Sequence, residues 1–238
     1  MPDADFARLF DNNRRWVDSV GRTRPDFFST LARQQAPKYF WIGCADSRVP
    51  ANQVIDLDPG EVFVHRNVAN VVPHSDLNAL STLQFAVDVL KVQHVLVVGH
   101  YGCGGIRAVL DGARVGLVDN WLGHVGDVME RHSGELDALP DMAARHDRLC
   151  ELNALEQARN VCRTTVLQDA WARGQHVVVH ACVYGLADGL LRDLGFNVRA
   201  SAAVAPSFDA ALRAGRQAAR LGGPGAAGPL RRRLRSRR

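Results

Sequence analysis

The chain has 238 residues, is 47% hydrophobic and carries a net charge of +4. That length supplies core for one large domain or two small ones, and no apolar run approaches the roughly 20 residues that span a bilayer. The positive charge is local: residues 231–238 hold six arginines, and subtracting six from +4 leaves a mildly acidic body at −2, which gives a nucleic-acid role no support.

The first predicted element is a helix over about 4–20, with Phe6, Leu9, Phe10, Val17 and Val20 on one face at helical spacing. Standing ahead of the first strand, this helix is expected to pack on a partner subunit. A second helix follows over about 25–35. Strands are expected at 39–43 and 61–65. Ser75 is the expected N-cap of a helix from 76 to about 91, with Leu80, Leu83, Val87 and Leu90 facing inward. The run 94–99 is continuously apolar, as in a strand covered on both faces.

Helices are then predicted from Gly104, over about 119–132, and over about 149–173 with Gly174 as the stop. A strand at 176–180, a short helix at 185–194 and a last strand at 196–200 complete the pattern. Strands alternating with helices imply an α/β fold, a mostly parallel central sheet flanked by helices. The reading is one domain over 1–205 and a flexible Ala/Gly/Arg-rich tail over 206–238. The tail is either a solvated end or a contact for RNA, acidic lipid or a partner.

Five cysteines is an odd number without the spacing of a secreted disulfide scaffold, and the acidic N-terminus has no signal-peptide core. A reducing cytoplasm is the expected setting, with the cysteines as free thiols or metal ligands. Cys150, Cys162 and Cys182 lie in apolar contexts that suit small buried residues.

Two stretches carry the chemistry: Cys44-Ala45-Asp46-Ser47-Arg48 after the first strand, and His100-Tyr101-Gly102-Cys103 after the third. The C-terminal ends of parallel strands lie on one edge of a sheet, where ligands bind. Cys44, His100 and Cys103 brought together there would form a Cys₂His zinc site with its fourth position open. That is the ligand count of a catalytic zinc. Singly, each has a plainer reading, Cys44 as a buried small residue above all. Asp46 and Arg48 are either a surface ion pair or a pair that orients a metal-bound water. His65 and His74 could relay protons but suit solvated or hydrogen-bonded roles, and His94, His124, His132, His146, His176 and His180 are assigned none.

Cys-Ala-Asp-Ser-Arg at 44–48, Phe-Val-His-Arg-Asn-Val-Ala-Asn at 63–70 and Gly-His-Tyr-Gly-Cys-Gly-Gly at 99–105 resemble the β-class carbonic anhydrases. The resemblance runs from about 5 to 200. Glu151-Leu152-Asn153 and Leu190-Leu191-Arg192-Asp193-Leu194 are similar to its bacterial members. It implies a zinc ion on Cys44, His100 and Cys103, and reversible hydration of carbon dioxide to bicarbonate and a proton. It implies that Arg48 holds Asp46, which accepts a hydrogen bond from the zinc-bound water. It also implies Gln35 reaching in from a neighbouring subunit of a homodimer or dimer of dimers. Val49, Phe63, Val68 and Phe85 would line an apolar substrate pocket, with the Gly102 N–H near the metal. In some bacterial members Asp46 would close the zinc site when bicarbonate binds beside the dimer interface. Trp41, Arg66 and Tyr184 match that second site.

Two thiolates neutralise a divalent zinc, so its water is acidified less than in a three-histidine site, and a more alkaline working range follows. The alternatives are a carbon disulfide or carbonyl sulfide hydrolase on the same scaffold, and a non-catalytic zinc-binding or bicarbonate-sensing protein.

Overall fold

The computed structural model describes residues 4–33 and 35–220. It divides at Ala36 into an N-terminal unit and a unit holding the sheet. The first contains α1 (Ala4–Thr23) and α2 (Phe27–Arg33), neither with a buried residue. Trp16 of α1 meets Phe28 edge-on, with ring centroids 5.3 Å apart. Phe6, Leu9 and Phe10 of α1 are each more than half exposed, at 57%, 58% and 53%.

The second unit is built on five strands: β1 (Tyr39–Cys44), β2 (Val62–Asn67), β3 (His94–His100), β4 (Val178–Tyr184) and β5 (Leu191–Val198). Their order in the sheet is β2-β1-β3-β4-β5. The first four run parallel and β5 is antiparallel to β4. The expected mostly parallel α/β sheet is therefore present. One face carries the larger core, with Phe40, Ile42, Val95, Val97, Val179 and Ala181 against the helices. The other carries a smaller cluster of Trp41, Val49, Ala51, Val98 and Cys182. The alternation of these two sets along each strand is the period-two rule for a sheet covered on both sides.

Between the strands lie α3 (Ala51–Val54), α4 (Leu77–Gln84), α5 (Gly104–Leu110), α6 (Val118–Arg131), α7 (Ser133–Asp137), α8 (Met142–Arg163) and α9 (Thr165–Ala172). Several boundaries differ from expectation for identifiable reasons. Asp76, not Ser75, caps α4, accepting from the Asn78 N–H at 3.0 Å. The helix widens into a π-turn at Phe85–Val89 instead of continuing to 91. The single long helix of 149–173 is two. Thr164 takes an extended ψ of 149° and caps α9, and the first piece begins seven residues earlier at Met142, behind its cap Asp141.

The helix expected at 185–194 is absent. Gly189 adopts a φ of +70° and the chain reverses into β5. Leu194, Phe196 and Val198 alternate inward, a period-two pattern that overrides the helical reading. A six-residue turn from 185 to 190 is too short for a parallel crossover, which is why β5 runs antiparallel.

The chain is also helical over the first part of 206–238, where a flexible tail is expected. The last helix, α10 (Val204–Arg220), buries Phe208, Ala211 and Leu212 at i, i+3 and i+4. Its alanines and arginines are strong helix formers, and a compositional reading missed the apolar stripe among them. The rest of the expected tail, 221–238, lies outside the described residues. Among the described residues no helix is long and apolar enough to cross a membrane.

Candidate metal centre

Strands β1 and β3 are neighbours, so their C-terminal ends deliver Cys44 and His100 side by side. Cys103 follows three residues beyond β3 at the start of α5, after Gly102 has turned the chain with a φ of +72°. A side chain at that φ would be strained, so glycine is required there. Cys44, His100 and Cys103 each offer a ligand atom, and the three atoms lie within 4.8 Å of one another. All three residues are buried.

The donor set suits a zinc ion. The two sulfurs are 4.0 Å apart. Two Zn–S bonds of about 2.3 Å at a tetrahedral angle span about 3.8 Å. His100 Nδ1 donates to the Tyr101 carbonyl at 3.0 Å, which leaves Nε2 as a bare lone pair. That Nε2 is buried and has no hydrogen-bond partner. A buried acceptor left open is costly, and a cation beside it removes the cost. The Cys44 thiol ionises well below the ordinary thiol range because Cys103 hydrogen-bonds to it. The Cys103 thiol is pushed up by that same bond and by burial. A metal is bound by thiolates, so its binding would release the proton that lies between the two sulfurs.

Asp46 and Arg48 sit at the mouth. Arg48 Nε and Nη2 donate to the Asp46 carboxylate at 2.9 and 2.7 Å, and the Arg48 main-chain N–H adds a third bond at 3.0 Å. Arg48 Nη2 also reaches the Gly102 carbonyl at 3.3 Å, tying together the two loops that carry the thiols. These donors hold the Asp46 carboxyl far below the usual carboxylate range. Its Oδ2 lies 3.7 Å from His100 Nε2, beside the three candidate ligands.

The other residues singled out in sequence are placed as follows. Val49 is buried in the smaller cluster. Phe63 is half-buried, its ring 5.7 Å from Phe40 and 5.8 Å from Phe85. Val68 and Phe85 are exposed, at 39% and 44%. Gln35 belongs to the N-terminal unit and is exposed. Trp41 is fully buried, its indole over Gly43, where a Cβ would come within 2.2 Å of Nε1. Tyr184 packs against the same cluster. Arg66 is engaged elsewhere: Nε donates to the Cys44 carbonyl at 2.9 Å and Nη2 to the Asp46 carbonyl at 2.5 Å. It therefore clamps the loop that carries a candidate ligand and the acidic member of the pair. His65 Nε2 accepts from Asn67 Nδ2, and His74 Nε2 donates to the Asn160 carbonyl.

Sequence reasoning missed the polar stripe of α8. Asn153 donates to the Ala69 carbonyl at 2.8 Å, Gln157 accepts from the Val72 N–H at 2.8 Å, and Asn160 donates to the Val72 carbonyl at 3.2 Å. They hold a turn in which Ala69 and Asn70 adopt left-handed φ of 62° and 47°. His146, also on α8, donates to the Cys103 carbonyl at 3.0 Å. The signal was present in the i, i+4, i+7 spacing of Asn153, Gln157 and Asn160, three amides on one face of the helix.

Together these features define an α/β protein with a candidate mononuclear metal centre at the C-terminal edge of a parallel sheet. The carbonic anhydrase family model matches residues 39–191. The carbonic anhydrase of Emericella nidulans is 47% identical over 190 residues, which cover 80% of this chain and 83% of that protein. A β-carbonic anhydrase of Coccomyxa, solved with acetazolamide, is 40% identical with a TM-score of 0.78, covering 83% of this chain and 90% of that one. A tetrameric β-carbonic anhydrase of Sordaria macrospora is 35% identical with the same score, 0.78, covering 82% and 100%. The chain belongs to the β-class carbonic anhydrases, enzymes that hydrate carbon dioxide.

Proposed function

We propose that Cys44, His100 and Cys103 hold one zinc ion per chain and that Asp46 and Arg48 order the reacting water. The observation that carries this reading is the buried His100 Nε2, without a partner and 3.7 Å from Asp46 Oδ2. Zinc in such a set supplies a hydroxide near neutral pH by acidifying bound water. Arg48 grips both oxygens of the Asp46 carboxylate and so keeps it ionised, an acceptor only, with lone pairs to spare. A hydroxide or water beside it can then only donate to Asp46, which turns an oxygen lone pair toward the substrate. Phe63, Phe85, Val49 and Val68 supply apolar walls suited to carbon dioxide, which has no net dipole, and the Gly102 N–H serves as a donor near the reacting oxygen.

In this reading the chain works as a dimer or dimer of dimers in the cytoplasm. The apolar face of α1 packs on a partner, and Gln35 enters the neighbouring site. The exposure of Phe6, Leu9 and Phe10 and the tetrameric state of the Sordaria relative support the assembly. Five free, buried thiols suit a reducing compartment. The finer proposal is inhibition by bicarbonate. The anion, held by Trp41, Arg66 and Tyr184, would favour a form in which Asp46 replaces water on the metal.

The test is stopped-flow carbon dioxide hydration from pH 6 to 9, with zinc content measured beside it. Activity that tracks one zinc per chain, vanishes with a chelator and climbs toward alkaline pH is expected. Full activity in metal-free protein would overturn the reading.

A further inference from the structure

Behind the metal loop lies a buried charged cluster that the reaction does not use. Arg148 of α8 is 3% exposed and Glu151 2%. Arg148 Nη1 donates to Glu151 Oε2 at 2.7 Å and Nε to Glu135 Oε1 at 2.7 Å. The other Glu151 oxygen accepts the Tyr101 hydroxyl at 2.6 Å. Tyr101 is the residue after His100, and its carbonyl takes the His100 Nδ1–H at 3.0 Å. The Tyr101 N–H is fixed in turn by the Tyr184 carbonyl at 3.0 Å.

Buried ion pairs at best break even against apolar packing, so stability alone gives weak reason to build one here. A more direct consequence is geometric. The phenol and the N–H of Tyr101 are both anchored, which restrains the residue whose carbonyl orients the His100 ring. Outer partners of this kind set the tautomer and aim of a metal-binding imidazole.

We propose that Tyr101, Glu151 and Arg148 are positioning residues for His100, and that α10 forms the back wall that holds them. The α10 contact is close. Arg148 Nη2 lies 3.4 Å from the Leu212 carbonyl, and a Cβ on Gly215 would come within 2.1 Å of Arg148 Nη1. Gly215 is therefore a seat for the guanidinium, and the Ala/Arg-rich C-terminal helix belongs to the support of the site. The inference rests on the zinc reading above.

The experiment follows zinc release from the loaded protein into a chelator, and the absorption spectrum of the cobalt-substituted protein, for wild type, Tyr101→Phe, Gly215→Ala and Val161→Ala. Val161 is fully buried on α8 ten residues beyond Glu151, about 15 Å along the helix, so it reports the effect of lost stability alone. Tyr101→Phe is expected to release zinc about 10- to 100-fold faster with an altered cobalt spectrum. Gly215→Ala should shift both in the same direction by a smaller factor, and it carries the test if Tyr101→Phe does not fold. Val161→Ala should melt earlier yet release zinc at the wild-type rate. Wild-type release and spectrum in Tyr101→Phe and Gly215→Ala would overturn the proposal, as would a Val161→Ala effect equal to theirs. Wild-type protein that binds no stoichiometric zinc would instead overturn the zinc reading itself.

Discussion

Replacing Asn153 by alanine tests whether the polar stripe of α8 builds the wall beside the metal centre. Asn153 is fully buried, donates to the Ala69 carbonyl at 2.8 Å and accepts from Gln157 Nε2 at 3.0 Å. Truncation leaves that carbonyl and that amide without their partner in a site closed to water. Each orphaned buried group costs about 1–3 kcal/mol, so the pair sums to about 2–6 kcal/mol. The Ala69 conformation makes the loss harder to absorb. Its φ of 62° is a left-handed setting that an alanine occupies at a cost of about 1–2 kcal/mol and that the Asn153 bond helps to hold. At roughly 2–4 °C per kcal/mol for a domain of this size, thermal unfolding should fall by about 4–24 °C. Because Ala69 and Val68 lie against Gly105, at 3.4 and 3.2 Å from where its Cβ would be, the wall of α5 next to Cys103 should loosen too. Carbon dioxide hydration should then drop even at a temperature where the variant stays folded. Calorimetry and stopped-flow assays on the same preparation measure both. A melting point within 2 °C of wild type would refute the claim that this bond anchors the turn.

Arg48→Ala should cut hydration on the order of a hundredfold at full zinc occupancy, since Asp46 then keeps only a main-chain donor; activity within twofold of wild type would count against the pair. Glu156→Gln should be destabilising in a pH-dependent way. Burial pushes the Glu156 carboxyl up, but the His132 hydrogen bond and the Arg159 and Arg131 charges outweigh it and hold it below its ordinary value. A carboxylate depressed on folding stabilises the native state above its unfolded value of about 4.3, and that contribution fades as pH falls through the folded value. The gap in melting temperature between wild type and Glu156→Gln should therefore be widest near pH 7 and shrink below about pH 4; a gap independent of pH would refute the assignment. Trp41→Phe should weaken bicarbonate inhibition at low pH while leaving uninhibited hydration unchanged, and unaltered inhibition would remove Trp41 from that site.

Most of the sheet and the three candidate ligands were legible because the signals are local. Val95 to Gly99 is an apolar run ending in a glycine-rich turn, and Cys44 closes another such run. What escaped was set by tertiary partners. The segment 185–194 reads as a helix, yet pairing with β4 and the alternation of Leu194, Phe196 and Val198 make 191–198 a strand. The helix α10 reads as a polar alanine–arginine tract until Phe208, Ala211 and Leu212 are seen packing on one side. Tyr101 looks like an ordinary loop residue, because nothing in sequence tells that Glu151, fifty positions on, meets its hydroxyl. Long-range hydrogen bonds leave no periodic trace, whereas strands and ligand-bearing turns do.

The placement of Arg66 constrains how a bicarbonate switch could operate. Its guanidinium already holds the carbonyls of Cys44 and Asp46, so it is part of what keeps the loop in the form where Arg48 grips the Asp46 carboxylate. An anion that recruits Arg66 must compete with two main-chain acceptors. A hydrogen bond from a charged donor is worth about 1.5–3 kcal/mol, so full transfer would release the loop at a cost of several kcal/mol. Only an anion bound with at least comparable energy, by Trp41 and Tyr184 as well as Arg66, could drive it. The fully buried indole over Gly43 adds a second condition, since a neighbouring anion needs Trp41 to give way. Loop release and anion binding are therefore the same event counted from two sides. Any variant that weakens the Arg66 clamp without touching Trp41 or Tyr184 should make the chain more, not less, sensitive to whatever favours Asp46 on the metal.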